Sequence, residues 1–203
     1  MSDFYDNIAY VLGHTLYLNI TNRCPCACDF CIRTHSKSVG TGDNLWLERE
    51  PTQTEIMAAL AQHDLSQYRE LVFCGYGEPT CRLDDLLWVC NKVRGIRDIP
   101  IRVNTNGLGS LQHGRDIVPE LAQVVDSVSI SLNAPDEAAY NEVTRPTLPG
   151  AYQAMLDFAI QAARQIPEVR FTIVDVLPEE EIQASKDLAA SLHIPLRIRK
   201  FTT

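Results

Sequence analysis

Four cysteines stand within eight residues, in the run Cys24-Pro25-Cys26-Ala27-Cys28-Asp29-Phe30-Cys31. Cys24, Cys28 and Cys31 have C-x-x-x-C-x-x-C spacing and follow directly on an apolar run that reads as a strand. Three thiolates on one short loop can hold three irons of a four-iron cube and leave the fourth iron to an outside ligand. Phe30 is an aromatic placed to shield that ligand. The same residue types could also wrap a zinc ion, since tetrahedral thiolate sites are common. A disulfide framework is disfavoured, because the seven cysteines are an odd number and no secretory leader is read at the N-terminus. Cys26 lies between two candidate ligands, at a position the spacing does not require.

Further polar motifs follow later apolar runs. Cys74-Gly75-Tyr76-Gly77-Glu78-Pro79 is by itself a Gly/Pro turn from strand to helix. Chemically, glycine lets backbone approach a ligand closely, and Glu78 offers a carboxylate to an ammonium group. Asn104-Thr105-Asn106-Gly107 contains a frequent turn dipeptide, and Ser127-Val128-Ser129-Ile130-Ser131-Leu132-Asn133-Ala134 reads as a strand with a polar face. His14, His63, His113 and His193 are scattered without ligand spacing and favour no chemistry. Cys74, Cys81 and Cys90 are read as core or rim thiols, with Cys90 on the apolar face of its helix.

The elements that must position these residues alternate. Strands are expected at Leu16–Ile20, Leu71–Cys74, Ile101–Asn104, Val128–Leu132, Val169–Val174 and Leu196–Ile198. Between them, Thr34–Asn44 reads as a long loop, and Thr52-x-x-Glu55 as a capping box opening a helix with Ile56, Ala59 and Leu60 on one face. Apolar spacing then predicts helices at Leu83–Val93, Ile117–Val124, Ala151–Ala163 and Glu179–Leu192; the third of these carries Tyr152, Met155, Phe158, Ala159 and Ala162 on its buried face. Such alternation implies parallel strands with right-handed crossovers. Six units are too few for a closed eight-stranded barrel and suit an α/β open partial (β/α)6 TIM-like barrel; a doubly wound open sheet is the alternative. In both, ligands gather at the C-terminal ends of the strands, where every motif above falls.

The 203 residues are read as a single domain, 1–203, able to bury a good core. No apolar run approaches the roughly 18 residues that span a membrane. The formal net charge of −8 argues against non-specific nucleic-acid binding, which rests on cationic neutralisation of phosphates. Arg33 and Lys37 after the cysteines, and Arg197, Arg199 and Lys200 near the end, read as short solvated basic runs.

Taken in order along the chain, the cysteine loop and the strand-end motifs resemble the signature of the radical S-adenosylmethionine (radical SAM) superfamily. Leu16–Arg23, Leu45-Trp46-Leu47 and the Arg-rich end of the chain resemble, more narrowly, the small radical SAM proteins associated with TatD-type hydrolases. The resemblance implies a [4Fe-4S] cluster on Cys24, Cys28 and Cys31 and S-adenosylmethionine on its open iron. It implies reductive cleavage to a 5′-deoxyadenosyl radical that abstracts hydrogen from a substrate not readable from the sequence. Tyr76, Gly77, Glu78 and Pro79 resemble the family's Gly-Gly-Glu-Pro motif for the amino group of S-adenosylmethionine, with Tyr76 in place of the first glycine. Asn104 or Asn106 would face the ribose. Ser131 or Asn133 would contact ribose or the methionine carboxylate, and Arg145 would offer that carboxylate a bidentate fork. Arg33 and His35 are expected to tune the cluster. Cytoplasmic location is implied, as is a low-potential electron donor such as a flavodoxin or ferredoxin. The narrower resemblance implies a TatD-family hydrolase as partner, and a chain that ends after its sixth strand with no long lid is expected to need a macromolecular partner or substrate to close the mouth. A radical-installing activase of a partner protein and a zinc-binding scaffold are the other function classes.

Overall fold

A computed structural model describes residues 4–35 and 44–200. Among them, β1 (Ala9–Leu12), β2 (Thr15–Leu18), β3 (Glu70–Phe73), β4 (Ile101–Thr105), β5 (Ser127–Ser131), β6 (Glu168–Val174) and β7 (Leu196–Arg199) form one sheet in chain order. β1 is antiparallel to β2, and every later pair is parallel. The helices are α1 (Phe4–Ile8), α2 (Ile32–His35), α3 (Gln53–Leu60), α4 (Leu83–Ile96), α5 (Gly109–His113), α6 (Val118–Leu121), α7 (Glu137–Thr144), α8 (Ala151–Gln165) and α9 (Glu179–Ser191). A doubly wound sheet reverses its strand order at a switch point. This order never reverses, so the architecture is an unclosed partial barrel with β1 and β7 at its edges.

Register separates the sheet into two faces, because side chains alternate along each strand. Leu18, Phe73, Val103 and Val128 lie level on neighbouring strands, as do Thr105, Ile130 and Phe171. The apolar members of these rows belong to the main core, with Leu86, Val89 and Val93 of α4 and Met155, Phe158 and Ala159 of α8. The other face carries Tyr17, Val72, Arg102 and Ser127 in one layer, Asn104, Ser129 and Arg170 in the next, and Ser131, Thr172 and Arg197 above them. A polar concave face inside an apolar shell leaves the chamber, rather than the core, to hold ligand.

The capping box forms as expected: the Thr52 side chain accepts from the Glu55 N–H, and the Glu55 carboxylate accepts from the Thr52 N–H at 2.8 Å. Several expectations need correcting. The first parallel strand is Thr15–Leu18, because Asn19 and Thr21 leave the ladder to shape the following loop. Ahead of it stands an unexpected antiparallel strand, joined by the two-residue turn Gly13-His14 with Gly13 at φ 61°. The helix at Leu83 continues to Ile96, and the one expected over Ile117–Val124 is only Val118–Leu121. Tyr152 is half-buried, while Ala151 joins the buried face of α8. α7 was not expected, since its apolar pattern is weak; it is started by Asp136, whose side chain accepts from the Ala139 N–H. The loop expected over 34–44 falls mostly on residues 36–43, with Lys37, and these lie outside the described residues. No helix among the described residues is long and apolar enough to cross a membrane.

Candidate functional site

The cysteine loop leaves β2 at the C-terminal end of the sheet and is stitched down from two sides. Ala27 and Asp29 donate their N–H groups to Thr144 and Val143 (3.0 Å each), and Thr147 returns one to Pro25 (2.8 Å). Cys26 and Pro146 form the bridge between the two segments. On the other side, Arg33 donates to the carbonyls of Asn22 (3.3 Å) and Cys26 (3.2 Å). All seven cysteines are free thiols. Cys24, Cys28 and Cys31 are half-buried, whereas Cys26 is buried and packs into the main core. Its thiol lies between Cys24 and Cys28; hydrogen bonding with it pulls both of those below the ordinary thiol range and pushes Cys26 up. Burial raises Cys31, against the opposing charge of Arg33. Among the described residues, no three His, Cys, Asp or Glu side chains gather about a single ion position.

The segment after β3 owes its glycines to chain packing. A Cβ on Gly77 would stand 2.3 Å from the Thr21 carbonyl oxygen, and one on Gly75 would stand 2.0 Å from Asn19 Oδ1. At Gly77 the two strand-end loops pack backbone to backbone, with the Glu78 N–H donating to Arg23 at 2.8 Å, while at Gly75 the backbone packs against the Asn19 side chain. Tyr76 is buried between Tyr10, Leu45 and the edge of Trp46, with ring centroids 5.4 Å apart for the last pair. Pro79 opens the short 3-10 turn Pro79–Arg82 and is itself buried.

Glu78 is buried beneath the strand ends. Oε1 accepts from Thr80 N (3.1 Å), Thr80 Oγ1 (2.8 Å) and Thr105 Oγ1 (2.8 Å), and Oε2 accepts from Asn106 N (2.7 Å). Desolvation outweighs these donors and raises the carboxyl above the usual range. The carboxylate thus clamps the loop after β4 to the loop after β3, and Oε2 keeps one lone pair for anything further. Thr80 and Thr105 are site residues that sequence reasoning passed over. A hydroxyl that serves a buried carboxylate from another loop leaves no periodic signal.

Asn104 and Asn106 are separated. Asn104 lies on the concave face and accepts from Arg102 at 2.6 Å, while Asn106 turns its amide toward the sulfurs of Cys24 (3.9 Å) and Cys26 (3.7 Å). Ser131 is half-buried in the concave face, level with Thr172. Asn133 is buried with φ 62°, a left-handed conformation that asparagine tolerates. Arg145, also at positive φ, caps α7 and forms an ion pair with Asp29 at 2.5 Å, so its carboxylate partner is in the cysteine loop. Phe30 is half-buried beside Cys31. The side chain of His35 lies outside the described residues.

Three polar atoms at this end of the sheet, Asn19 Oδ1, Tyr76 Oη and Asn133 Oδ1, are buried with no hydrogen-bond partner among the described residues. An unpaired buried polar group costs about 1–3 kcal/mol. Tyr76 and Asn133 belong to motifs expected to touch a cofactor, and together with three free thiols on one loop they fit an iron–sulfur cluster with a polar ligand bound beside it. A cleft of about 530 Å³ bordered by Pro167, Arg170, His193 and Arg197 lies at the opposite, N-terminal ends of β6 and β7, away from the thiols.

Comparison with known proteins agrees with this geometry. The family model described as the Radical SAM superfamily matches residues 18–192. GTP 3′,8-cyclase of Staphylococcus aureus (strain Mu3) is 25% identical over 190 residues, covering 92% of this chain and 53% of that protein. The same enzyme of Staphylococcus saprophyticus is 26% identical over 155 residues, covering 74% and 43%. The chain therefore spans about half the length of the curated relatives it matches. Among solved structures, Streptococcus suis SuiB bound to S-adenosylmethionine superposes with a TM-score of 0.63 at 18% identity, over 92% of this chain and 38% of that one. HydG, a maturase of the [FeFe]-hydrogenase, gives 0.66 at 17% identity over 93% and 42%. These likenesses show the fold.

Proposed function

The chain belongs to the radical SAM superfamily, whose members use a [4Fe-4S] cluster and S-adenosylmethionine, and from that membership we propose that it is a radical SAM enzyme acting on an unidentified substrate. When bound, the cluster and S-adenosylmethionine supply a low-potential electron and a 5′-deoxyadenosyl radical for hydrogen abstraction. The observation that carries the reading is the set of three free thiols on one loop, stitched to the C-terminal mouth of an unclosed parallel barrel.

In this reading Cys24, Cys28 and Cys31 hold the cluster, and Cys26 anchors the loop in the core. Asn106 directs N–H toward the sulfurs, and Arg33 adds positive charge that favours thiolates. Phe30 shields the exposed side. Tyr76 Oη, Asn133 Oδ1, Ser131 and the remaining Oε2 lone pair of Glu78 receive the polar groups of S-adenosylmethionine, while Gly77 and Pro79 fix the turn that presents Glu78. Arg145 acts through Asp29 on the loop rather than on the cofactor's carboxylate. Residues 1–203 act as one core domain, supplied by a flavodoxin- or ferredoxin-type donor.

The narrower link to TatD-type hydrolases rests on Leu16–Arg23, Leu45–Leu47 and the Arg-rich end of the chain, and the first two are adjacent in the structure. These segments are joined: Asn19 donates to Leu45 O (2.6 Å), Asn22 donates to Leu47 O (2.7 Å) and accepts from Leu47 N (3.2 Å). They form one unit beside the cysteine loop, as a subgroup-specific feature would.

Anaerobic reconstitution followed by iron and sulfide analysis, with EPR of the reduced protein, tests the assignment. About four irons per chain, as a [4Fe-4S] cluster requires, and a signal perturbed by S-adenosylmethionine are expected, both lost in Cys28→Ala. Stoichiometric zinc with no cofactor-sensitive signal would sink it.

A further inference from the structure

The basic run near the end of the chain reads in sequence as solvated surface, and its side chains are indeed exposed; strand register decides which way they face. Arg197 pairs in register with Thr172, which pairs with Ser131, and Arg199 pairs with Val174 one layer nearer the mouth. Side chains level with one another in parallel strands share a face. Arg197, which also borders the cleft at the foot of β6 and β7, and Arg199, one layer nearer the mouth, therefore stand on the concave face above Arg170 and opposite the wall formed by Tyr10, Tyr17 and Cys74. Arg199 lies near enough to Cys74, at the end of β3, for the two groups to interact electrostatically across the chamber.

The arginines of this face are not equivalent. Arg102 is closed by Glu70 at 2.7 Å and by Asn104, and Arg170 is paired with Glu168 at 3.4 Å. Both carboxylates stand at the foot of the barrel. Arg197 and Arg199 have no carboxylate partner among the described residues, and Arg197 is a like charge that acts on Arg199. Water reaches Arg199, yet protein surrounds it closely enough that desolvation, with Arg197 adding to it, holds its guanidinium below the usual range. Two exposed guanidiniums side by side, with no carboxylate partner among the described residues, leave their N–H forks open to solvent or to an anion. Their planar forks match an oxyanion, and a chamber with low-dielectric walls focuses their field toward its mouth.

We propose that Arg197 and Arg199 form a substrate subsite for an oxyanion, a phosphate or carboxylate group, on the wall of the chamber facing Cys74. The inference rests on the enzyme reading above, for it places substrate inside the barrel mouth, and it specifies the class of substrate: an anionic molecule held by its charged end.

Isothermal titration calorimetry of the full chain, before and after cluster reconstitution, with pyrophosphate and separately with citrate, provides the test. Saturable one-site binding of at least one probe is expected, weakened tenfold or more in Arg197→Gln/Arg199→Gln and unchanged in Arg164→Gln, an exposed arginine on the outer helix α8. Binding of pyrophosphate alone assigns a phosphate, of citrate alone a carboxylate, and of both a general oxyanion site. No saturable binding by folded wild-type protein, or equal binding by the double variant, overturns the proposal. Should the double variant fail to fold, the salt dependence of the wild type decides: affinity must fall as salt rises, and salt-independent binding overturns it. Iron content and the cofactor-sensitive EPR signal of the same samples report on the enzyme reading separately. Oxyanion binding without a cluster would sink that reading alone, and a cluster without oxyanion binding would sink this one alone.

Discussion

Glu78 shows how a single carboxylate can serve the site from beneath it. Four donors hold it, yet burial raises its pKa. A carboxyl whose folded pKa is raised binds its proton more tightly in the native state than in the unfolded chain. Its contribution is present below the unfolded value and is lost as pH climbs through the folded one. Stability of the protein should therefore decline across the range above the ordinary carboxylate pKa, and urea titrations at several pH values would show it. Glu78→Gln should flatten that decline and, by setting an amide donor against the Asn106 N–H, destabilise the fold by about 1–3 kcal/mol. An unaltered pH profile in the variant would contradict this account. The motif containing Glu78 was legible from residue order alone. Its burial and its hold on Asn106 were not, because both depend on where a different strand ends.

At the scale of elements, two loops from opposite halves of the chain build the mouth. The cysteine loop and residues 143–147 exchange backbone hydrogen bonds, so the position of the thiols depends on α7. Ala27→Pro removes the N–H that meets Thr144. It should cost about 1 kcal/mol in stability and lower iron retention out of proportion, measured as iron per chain after gel filtration. Full retention would show that the pairing does not position the loop. Gly77→Ala drives a methyl group into the carbonyls of Thr21 and Arg23. Backbone cannot yield as a flexible side chain would, so this variant should lose more than about 2 kcal/mol, in the overpacking range, and a melt within a degree or two of wild type would refute that contact. The capping box and the main helices were readable because their signals are local. α7 and β1 were not: α7 earns its place through contacts with the cysteine loop, and β1 through pairing with β2.

At the scale of the whole molecule, the sheet sorts apolar residues outward beneath the helices and polar ones inward around the chamber. Phe171 is fully buried in the outer face, between Ile130 and Leu196 in register. Phe171→Ala should cost about 3–5 kcal/mol by urea unfolding, and a loss below about 1 kcal/mol would mean that this face is not the packed core. The chain by itself determined the class of fold and the residues of the cysteine loop, since hydrophobic alternation and cysteine spacing are properties of neighbours along the backbone. Only the tertiary structure decided which asparagine meets the sulfurs, that Arg145 answers Asp29, and that the arginines of β7 face the chamber. Those outcomes depend on strand register and on which loops end side by side, and residues far apart in sequence acquire such relations only when the sheet is assembled.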